Sequence, residues 1–152
     1  MLAALFSALH VLSLGIGLGA VFARGRALRA VARGDAQAIG RVLLADNFWG
    51  VAALLWLATG LTRVFGQLDK GLAFYVYNGF FWTKMGLFLL ILALEIVPMV
   101  ALVRWRIALR KGQAPDTRRA AGFARISDVE TALVVAIPFV AAAMARGLWL
   151  LE

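Results

Sequence analysis

The chain contains no cysteine and only one histidine, His10. Without cysteine it forms no disulfide, thiolate zinc site, iron–sulfur cluster or covalent c-type haem link. One chain also cannot supply two imidazoles to a single metal ion. A metal site built from His10 and scattered carboxylates is therefore expected only across two chains.

Charged residues are scarce as well, at 16% of the 152 residues, while 63% are hydrophobic and the mean hydropathy is +0.87. Ordinary globular domains are roughly half apolar and about a quarter charged. A soluble fold of this size keeps much of its surface in water and could not hide so many apolar side chains. The composition therefore excludes a soluble enzyme and indicates a membrane protein.

Four apolar runs organise the chain, at about residues 2–23, 43–65, 79–103 and 129–150. Each approaches or exceeds the ~20 residues that cross a bilayer as a helix, and an open strand would leave backbone groups unpaired in lipid. No basic segment precedes the first run, so we interpret it as a retained span rather than a signal peptide. The sequence predicts an all-α fold, a polytopic transmembrane four-helix bundle that forms a single membrane domain over residues 1–152.

Basic residues outnumber acidic ones by 16 to 8, and they cluster between the spans. Residues 24–42 contain five and residues 104–127 contain seven, whereas the connection between the second and third spans contains only Lys70. Cytoplasmic loops of membrane proteins carry such an excess, which also attracts anionic lipid. We therefore expect both clusters in the cytoplasm against anionic lipid, both termini on the outer side, and no nucleic-acid partner.

Ionisable residues inside the spans are the candidate functional residues, because such groups are costly in a bilayer. Their depth in the bilayer, counted in residues along each span, separates them by the sign of their charge. The groups that are or can become cationic fall in the outer half (His10, Arg63, Lys84 and Arg146), and the acids fall in the inner half (Asp46, Glu95, Asp128 and Glu130).

Spacing adds detail to this division. Lys84 and Glu95 are eleven residues apart and share a helix face that should look into the bundle. Glu95, Asp46 and Trp56 are the polar side chains that we expect to be buried within the spans. Asp46 and Asp128 suit helix N-caps at the cytoplasmic boundary. Finally, Gly15 and Gly19 form a GxxxG pattern that predicts the close approach of another helix.

A set of motifs runs through nearly the whole chain. Its members are Leu9-His10, Asp46, Trp49-Gly50, residues 59–64 (TGLTRV), Lys70-Gly71, Phe74-Tyr75, Asn78, residues 81–84 (FWTK), Pro98 and residues 143–147 (AMARG). The set resembles the small bacterial four-helix membrane family catalogued as domain of unknown function 2214. The resemblance implies a four-helix fold in the bacterial inner (plasma) membrane and no established activity.

A second likeness concerns the histidine early in span one and the Trp-x-Lys that enters span three. Both features are similar to the HemJ-type protoporphyrinogen oxidase family, and the helical layout is similar to the copper-resistance protein D family. In the HemJ family the matching histidine and lysine are implicated in haem binding and activity, which the resemblance carries over to His10 and Lys84 only. A further histidine of that family falls where this chain has Glu95.

The first functional hypothesis is a haem- or porphyrin-associated redox protein that holds haem b. His10 would be the iron ligand, because a neutral imidazole suits iron. Arg63, Lys84 and Arg146 would pair with the propionates. With one histidine per chain, the iron would be five-coordinate, take a second ligand other than histidine, or be shared in a homo-oligomer.

Two alternatives stay open. Glu95, Lys84 and His10 would form a polar path across the membrane in a small transport or proton-relay protein. Alternatively, the chain is an assembly subunit of a larger membrane complex, in which the buried charges serve helix pairing. The sequence does not decide whether the protein is an enzyme.

Overall fold

A computed structural model describes residues 1–66 and 72–151, and most of these residues are helical, with no strand among them. Lys70 and Gly71, which the sequence placed in the outer connection, lie outside the described residues. The helices, in chain order, are α1 (Leu2–Ala32), α2 (Ala38–Phe65), the short α3 (Leu72–Val76), α4 (Gly79–Arg110) and α5 (Ala120–Ala145).

Four of these helices, α1, α2, α4 and α5, are long and apolar enough to cross a bilayer. Only 17% to 28% of the most apolar stretch of each is buried inside the protein. Large side chains such as Leu54 and Phe139 remain 69% and 73% exposed. Apolar surface on this scale is favourable in lipid and costly in water. The prediction of an all-α protein with four apolar helices is thus confirmed.

Helix α1 lies at the centre of the packing, against α2 on one side and α5 on the other. Two small residues permit this, because a Cβ at Gly17 would lie 3.3 Å from the ring of Trp49 on α2, and one at Gly25 would lie 3.2 Å from Ser127 Cβ on α5. Helix α4 packs on α5 but makes few direct backbone contacts with α2. The bundle is therefore open along one side, and we call this opening between α2 and α4 the lateral crevice.

The GxxxG prediction was wrong for packing within the chain. Gly15 and Gly19 are both exposed, and a Cβ added to either would meet no atom within 4 Å. Gly17, which lies between them in sequence, points at the neighbouring helix instead. The hydropathy of the segment cannot distinguish these faces, since all of its residues are apolar or small.

One end of the bundle carries the connections 33–37 and 111–119, and we call it the basic end. At this end the helices extend beyond the predicted spans. The arginine-rich segments continue α1 and α4 until Gly34 and Gly112, which adopt the left-handed conformation that ends a helix. Asp46 and Asp128 consequently lie about two turns inside α2 and α5. The prediction that they are N-caps was wrong.

The opposite end, which carries both termini and which we call the terminal end, is closed by the C-terminal tail. Helix α5 stops at Ala145, before the predicted end of the fourth span, and the tail folds back onto the start of α4. Gly79 N donates to Trp149 O at 3.0 Å, and Asn78 Nδ2 donates to Leu148 O at 3.2 Å. Asn78 Oδ1 also accepts from Phe80 N and so caps α4.

Candidate functional site

The lateral crevice is the candidate site because four of the eight ionisable residues that the sequence singled out line it: His10, Lys84, Asp46 and Glu95. The described residues enclose two cavities of about 360 Å³ each there, within the range of small-molecule pockets. The His10 groove, nearer the terminal end, is lined mainly by apolar residues around His10, Trp56, Gly60, Lys84, Met85 and Phe88. The Glu95 chamber, nearer the basic end, is lined around Gly17, Asp46, Trp49, Trp56, Phe88 and Glu95.

The imidazole of His10 is held in one orientation by α2. Its ring stacks on Trp56 with centroids 5.6 Å apart and planes 27° apart, and its Nδ1 lies 2.9 Å from Thr59 Oγ1. The absence of a side chain at Gly60 makes room for the ring, since a Cβ there would meet His10 Cε1 at 3.2 Å. The Nδ1–Cε1 edge of the ring therefore faces α2.

The hydroxyl of Thr59 lies between His10 and the backbone of α2. Its Oγ1 is 2.9 Å from His10 Nδ1, 2.7 Å from Leu55 O and 3.1 Å from Trp56 O. In the tautomer in which Thr59 donates to the backbone and accepts from Nδ1, the lone pair of the neutral imidazole lies on Nε2. Metal-bound histidines use that arrangement.

The structure brings together three of the four outer-half cations that the sequence grouped. Lys84 lines the His10 groove, and Arg63 is half-buried. Both lie close enough to His10 for a Coulomb interaction with the imidazole. Arg146 is exposed at the C-terminal end of α5 and is not among the residues that line the groove.

An aromatic contact separates the two cavities. Trp56 on α2 and Phe88 on α4 meet edge to face with ring centroids 5.3 Å apart, and both rings line both cavities. His10 and Lys84 lie on one side of this pair and Glu95 lies on the other. In this conformation the predicted polar path from Glu95 through Lys84 to His10 is therefore interrupted.

Arg24 forms the centre of a charged cluster behind the Glu95 chamber. Its side chain is fully buried, and its guanidinium donates to carboxylates on three other helices. The distances are 2.9 Å to Asp46 Oδ1 on α2, 2.7 Å to each Glu95 oxygen on α4 and 2.7 Å to Glu130 Oε2 on α5. Its Nε also donates to Ser127 Oγ at 3.2 Å. This single side chain thus ties α1 to the other three long helices.

Two further side chains bridge the crevice at the basic end. Arg106 Nη2 on α4 donates to Asp46 Oδ2 at 2.7 Å and to Asn47 Oδ1 at 2.9 Å on α2. Trp49 Nε1 on α2 donates to Glu95 Oε2 at 3.1 Å on α4. Polar side chains therefore join α2 to α4 where the backbones do not meet.

Sequence reasoning missed the role of Arg24, which it assigned to the lipid-facing segment 24–42. That assignment was wrong, because a fully buried guanidinium cannot contact lipid headgroups. The expected gathering of acids does occur for Asp46, Glu95 and Glu130, whereas Asp128 pairs with Arg29 near the surface at 2.6 Å. The spacing of the sequence does place Arg24 on one face of span one with His10 and Gly17, at intervals of seven residues, and in the structure that face packs against α2.

The donor set of the described residues restricts the metal chemistry that they fit. No group of three or more His, Cys, Asp or Glu side chains among them could hold a metal ion. A single imidazole would instead suit a metal whose other positions a macrocycle already fills. Apolar side chains make up most of the groove walls, and Lys84 is among the residues that line them.

Comparison with known proteins identifies a family. A search of curated proteins and a search of solved structures each found no match. Residues 2–148, nearly the whole chain, match the family model described as Predicted membrane protein (DUF2214). The four apolar helices agree with that description. The chain therefore belongs to the DUF2214 family of predicted membrane proteins.

Proposed function

We propose that the protein binds a flat, anionic tetrapyrrole of the haem class in the His10 groove, with haem b as the reference ligand. The observation that carries the proposal is the contact of His10 Nδ1 with Thr59 Oγ1 at 2.9 Å, which would hold the imidazole proton at Nδ1 and leave Nε2 able to bind iron. Haem, when bound, supplies one-electron redox chemistry. The chain supplies the axial imidazole, its orientation and an apolar surrounding.

The rest of the groove supports the same class of ligand. Its walls are aromatic and aliphatic side chains from α2, α3 and α4, which suit the face of a macrocycle. Lys84 and Arg63 are the cations near His10, and they would pair with carboxylates at the edge of the ligand. The lateral crevice would admit such a ligand from the lipid rather than from water.

We further propose that the termini face the periplasm and that the basic end faces the cytoplasm of a bacterial inner membrane. Exposed basic residues at the basic end, among them Arg26, Arg33, Arg104 and Arg119, support this orientation. Anionic lipid would contact these side chains. Arg24 takes no part in that contact.

Titration of the purified full-length protein with haem b in lipid nanodiscs tests the proposal. The wild type should bind haem with a Soret band that differs from that of free haem, and His10→Ala should lose the shift. A matched pair of threonine variants on α2 tests the tautomer argument. Thr59→Val should weaken haem binding about 10- to 100-fold, the usual effect of removing the partner of a metal-bound histidine. Thr62→Val should leave affinity unchanged, because Thr62 Oγ1 donates to Ala58 O within its own helix.

Haem binding that is equal in the wild type and in His10→Ala would overturn the proposal. So would equal affinities of the two threonine variants. A protein that takes up no haem but moves an ion across proteoliposomes, with loss of flux in Glu95→Gln, would support the transport alternative. Purification as part of a larger complex without any ligand would support the assembly alternative.

A further inference from the structure

The charges around Arg24 do not balance. Three carboxylates, Asp46, Glu95 and Glu130, meet two guanidinium groups, Arg24 and Arg106. If all five groups are ionised, one negative charge remains uncompensated. An uncompensated charge is strongly disfavoured in the low-dielectric interior of a membrane protein. Neutrality therefore requires one more positive charge in the cluster.

The geometry indicates where that charge is held. Glu95 Oε2 and Glu130 Oε2 are each 2.7 Å from the same nitrogen, Arg24 Nη2, so the two carboxyl groups lie side by side. Two neighbouring carboxylates do not both ionise readily. Glu130 has a side-chain exposure of 0%, and its other oxygen, Oε1, has no hydrogen-bond partner among the described residues. A fully buried carboxylate oxygen without a donor is costly, whereas a protonated carboxyl group avoids that charge.

We propose that the cluster is a proton-binding site, in which the Glu95–Glu130 pair holds one exchangeable proton. The groups facing the pair are Arg24 and Ser127 beside Glu130, and Trp49, Asp46 and Arg106 on the crevice side. One bound proton makes the total charge of the cluster zero. Its transfer to water leaves the pair as two carboxylates and the cluster with one net negative charge.

The Glu95 chamber provides the access that exchange requires. Asp46 and Glu95 both line this cavity, and their side chains are 11% and 14% exposed. Glu130 lies behind Arg24 with no exposure. A proton would therefore enter through Glu95 and pass to Glu130 within the pair. This role needs neither His10 nor a ligand in the His10 groove, so it is independent of the proposed function.

Infrared spectroscopy of the full-length protein in lipid nanodiscs tests the site directly. The wild type at neutral pH should show the carbonyl stretch of one protonated carboxyl group, which shifts in heavy water and disappears at alkaline pH. Glu95→Gln and Glu130→Gln should each abolish the band, because removing either carboxylate leaves two negative charges for two arginines. Asp128→Asn is the matched control: it lies on α5 beside Glu130 but pairs with the surface residue Arg29, and it should keep the band.

Several results would overturn the proposal. One is the absence of a protonated carboxyl band in the wild type at neutral pH. A second is a band that persists in both glutamine variants. A third is a wild-type band that does not respond to heavy water, because the proton would then not exchange. The wild-type spectra decide the first and third results even if a glutamine variant fails to fold.

Discussion

Replacement of Arg24 by methionine should destabilise the bundle far more than any other loss of a single arginine in α1. Methionine keeps the apolar stem of the side chain but removes every hydrogen bond that the guanidinium makes to Ser127, Asp46, Glu95 and Glu130. Breaking a buried ion pair by removing one partner costs about 3–5 kcal/mol, because the other charge stays buried and unpaired. Three carboxylates lose a partner here, so we expect the upper part of that range.

Arg29→Met is the matched control for this experiment. Arg29 also belongs to α1 and also pairs with a carboxylate of α5, Asp128, but the two side chains are 38% and 53% exposed. Exposed pairs contribute about 0–1 kcal/mol. The two variants should therefore differ by about 4 kcal/mol, which is nearly a thousandfold in the unfolding constant.

Reversible unfolding in mixed micelles, followed by helical circular dichroism as the fraction of denaturing detergent rises, measures both free energies. Adding Glu130→Gln to Arg24→Met should restore part of the stability, because it removes one of the unpaired carboxylates. Equal destabilisation by Arg24→Met and Arg29→Met would show that the buried guanidinium does not hold the helices together. So would a double variant that is less stable than Arg24→Met alone.

Two further predictions concern packing and the basic-end connection. Gly17→Val should lower the free energy of unfolding by about 1–3 kcal/mol, because the new side chain would overlap the ring of Trp49. Gly15→Val, whose side chain would face open space, should change it by less than about 0.5 kcal/mol. Equal shifts in melting temperature for the two variants would contradict this packing. Hydrogen bonds from Arg118 lower the pKa of Asp116 from 3.8 to about 2, so the pair should stabilise the fold above pH 3.8 and lose that effect as the pH falls through about 2. In unfolding measurements at a series of pH values, the stability difference between the wild type and Asp116→Asn should therefore shrink as the pH falls from 3.8 to about 2. A difference that grows on acidification would contradict a stabilising Asp116–Arg118 pair.

The sequence predicted the elements of the fold better than their ends. Apolar runs long enough to span a bilayer identify α1, α2, α4 and α5, because lipid selects for composition over some 20 residues. Hydropathy cannot place the ends of these helices, since Arg24 and Arg104 lower the local hydropathy without breaking a helix. The bounds are instead determined by Gly34 and Gly112, which end α1 and α4 in the left-handed conformation.

The sequence predicted individual residues of the candidate site but not the contacts between them. His10, Lys84 and Arg63 lie near one another in the structure, and counting residues along the predicted spans brought them together. The partners of Arg24 lie 22, 71 and 106 residues away in sequence, so no local pattern connects them. The scarcity of backbone contacts between α2 and α4, which creates the lateral crevice, depends on how all four long helices pack together. The sequence of one span does not reveal how the four helices pack.

The separation of the two cavities changes how the polar residues of the spans are interpreted. A sequence view treats Lys84 and Glu95 as one stripe on α4, because they occupy the same face. In the structure Phe88 lies between them and meets Trp56, so each residue belongs to a different cavity. The two proposals therefore concern different cavities, with ligand binding proposed for the His10 groove and proton binding for the cluster around Arg24.

The most direct test of the account is the absorption spectrum of the haem-loaded His10→Gly variant with and without added imidazole. We predict that this variant lacks the Soret band of the wild type and that free imidazole, which fits the space left by the side chain, restores it. A wild-type spectrum in the variant without imidazole, or a variant that imidazole does not restore although it is folded, would contradict the claim that His10 is the ligand-binding residue of the groove.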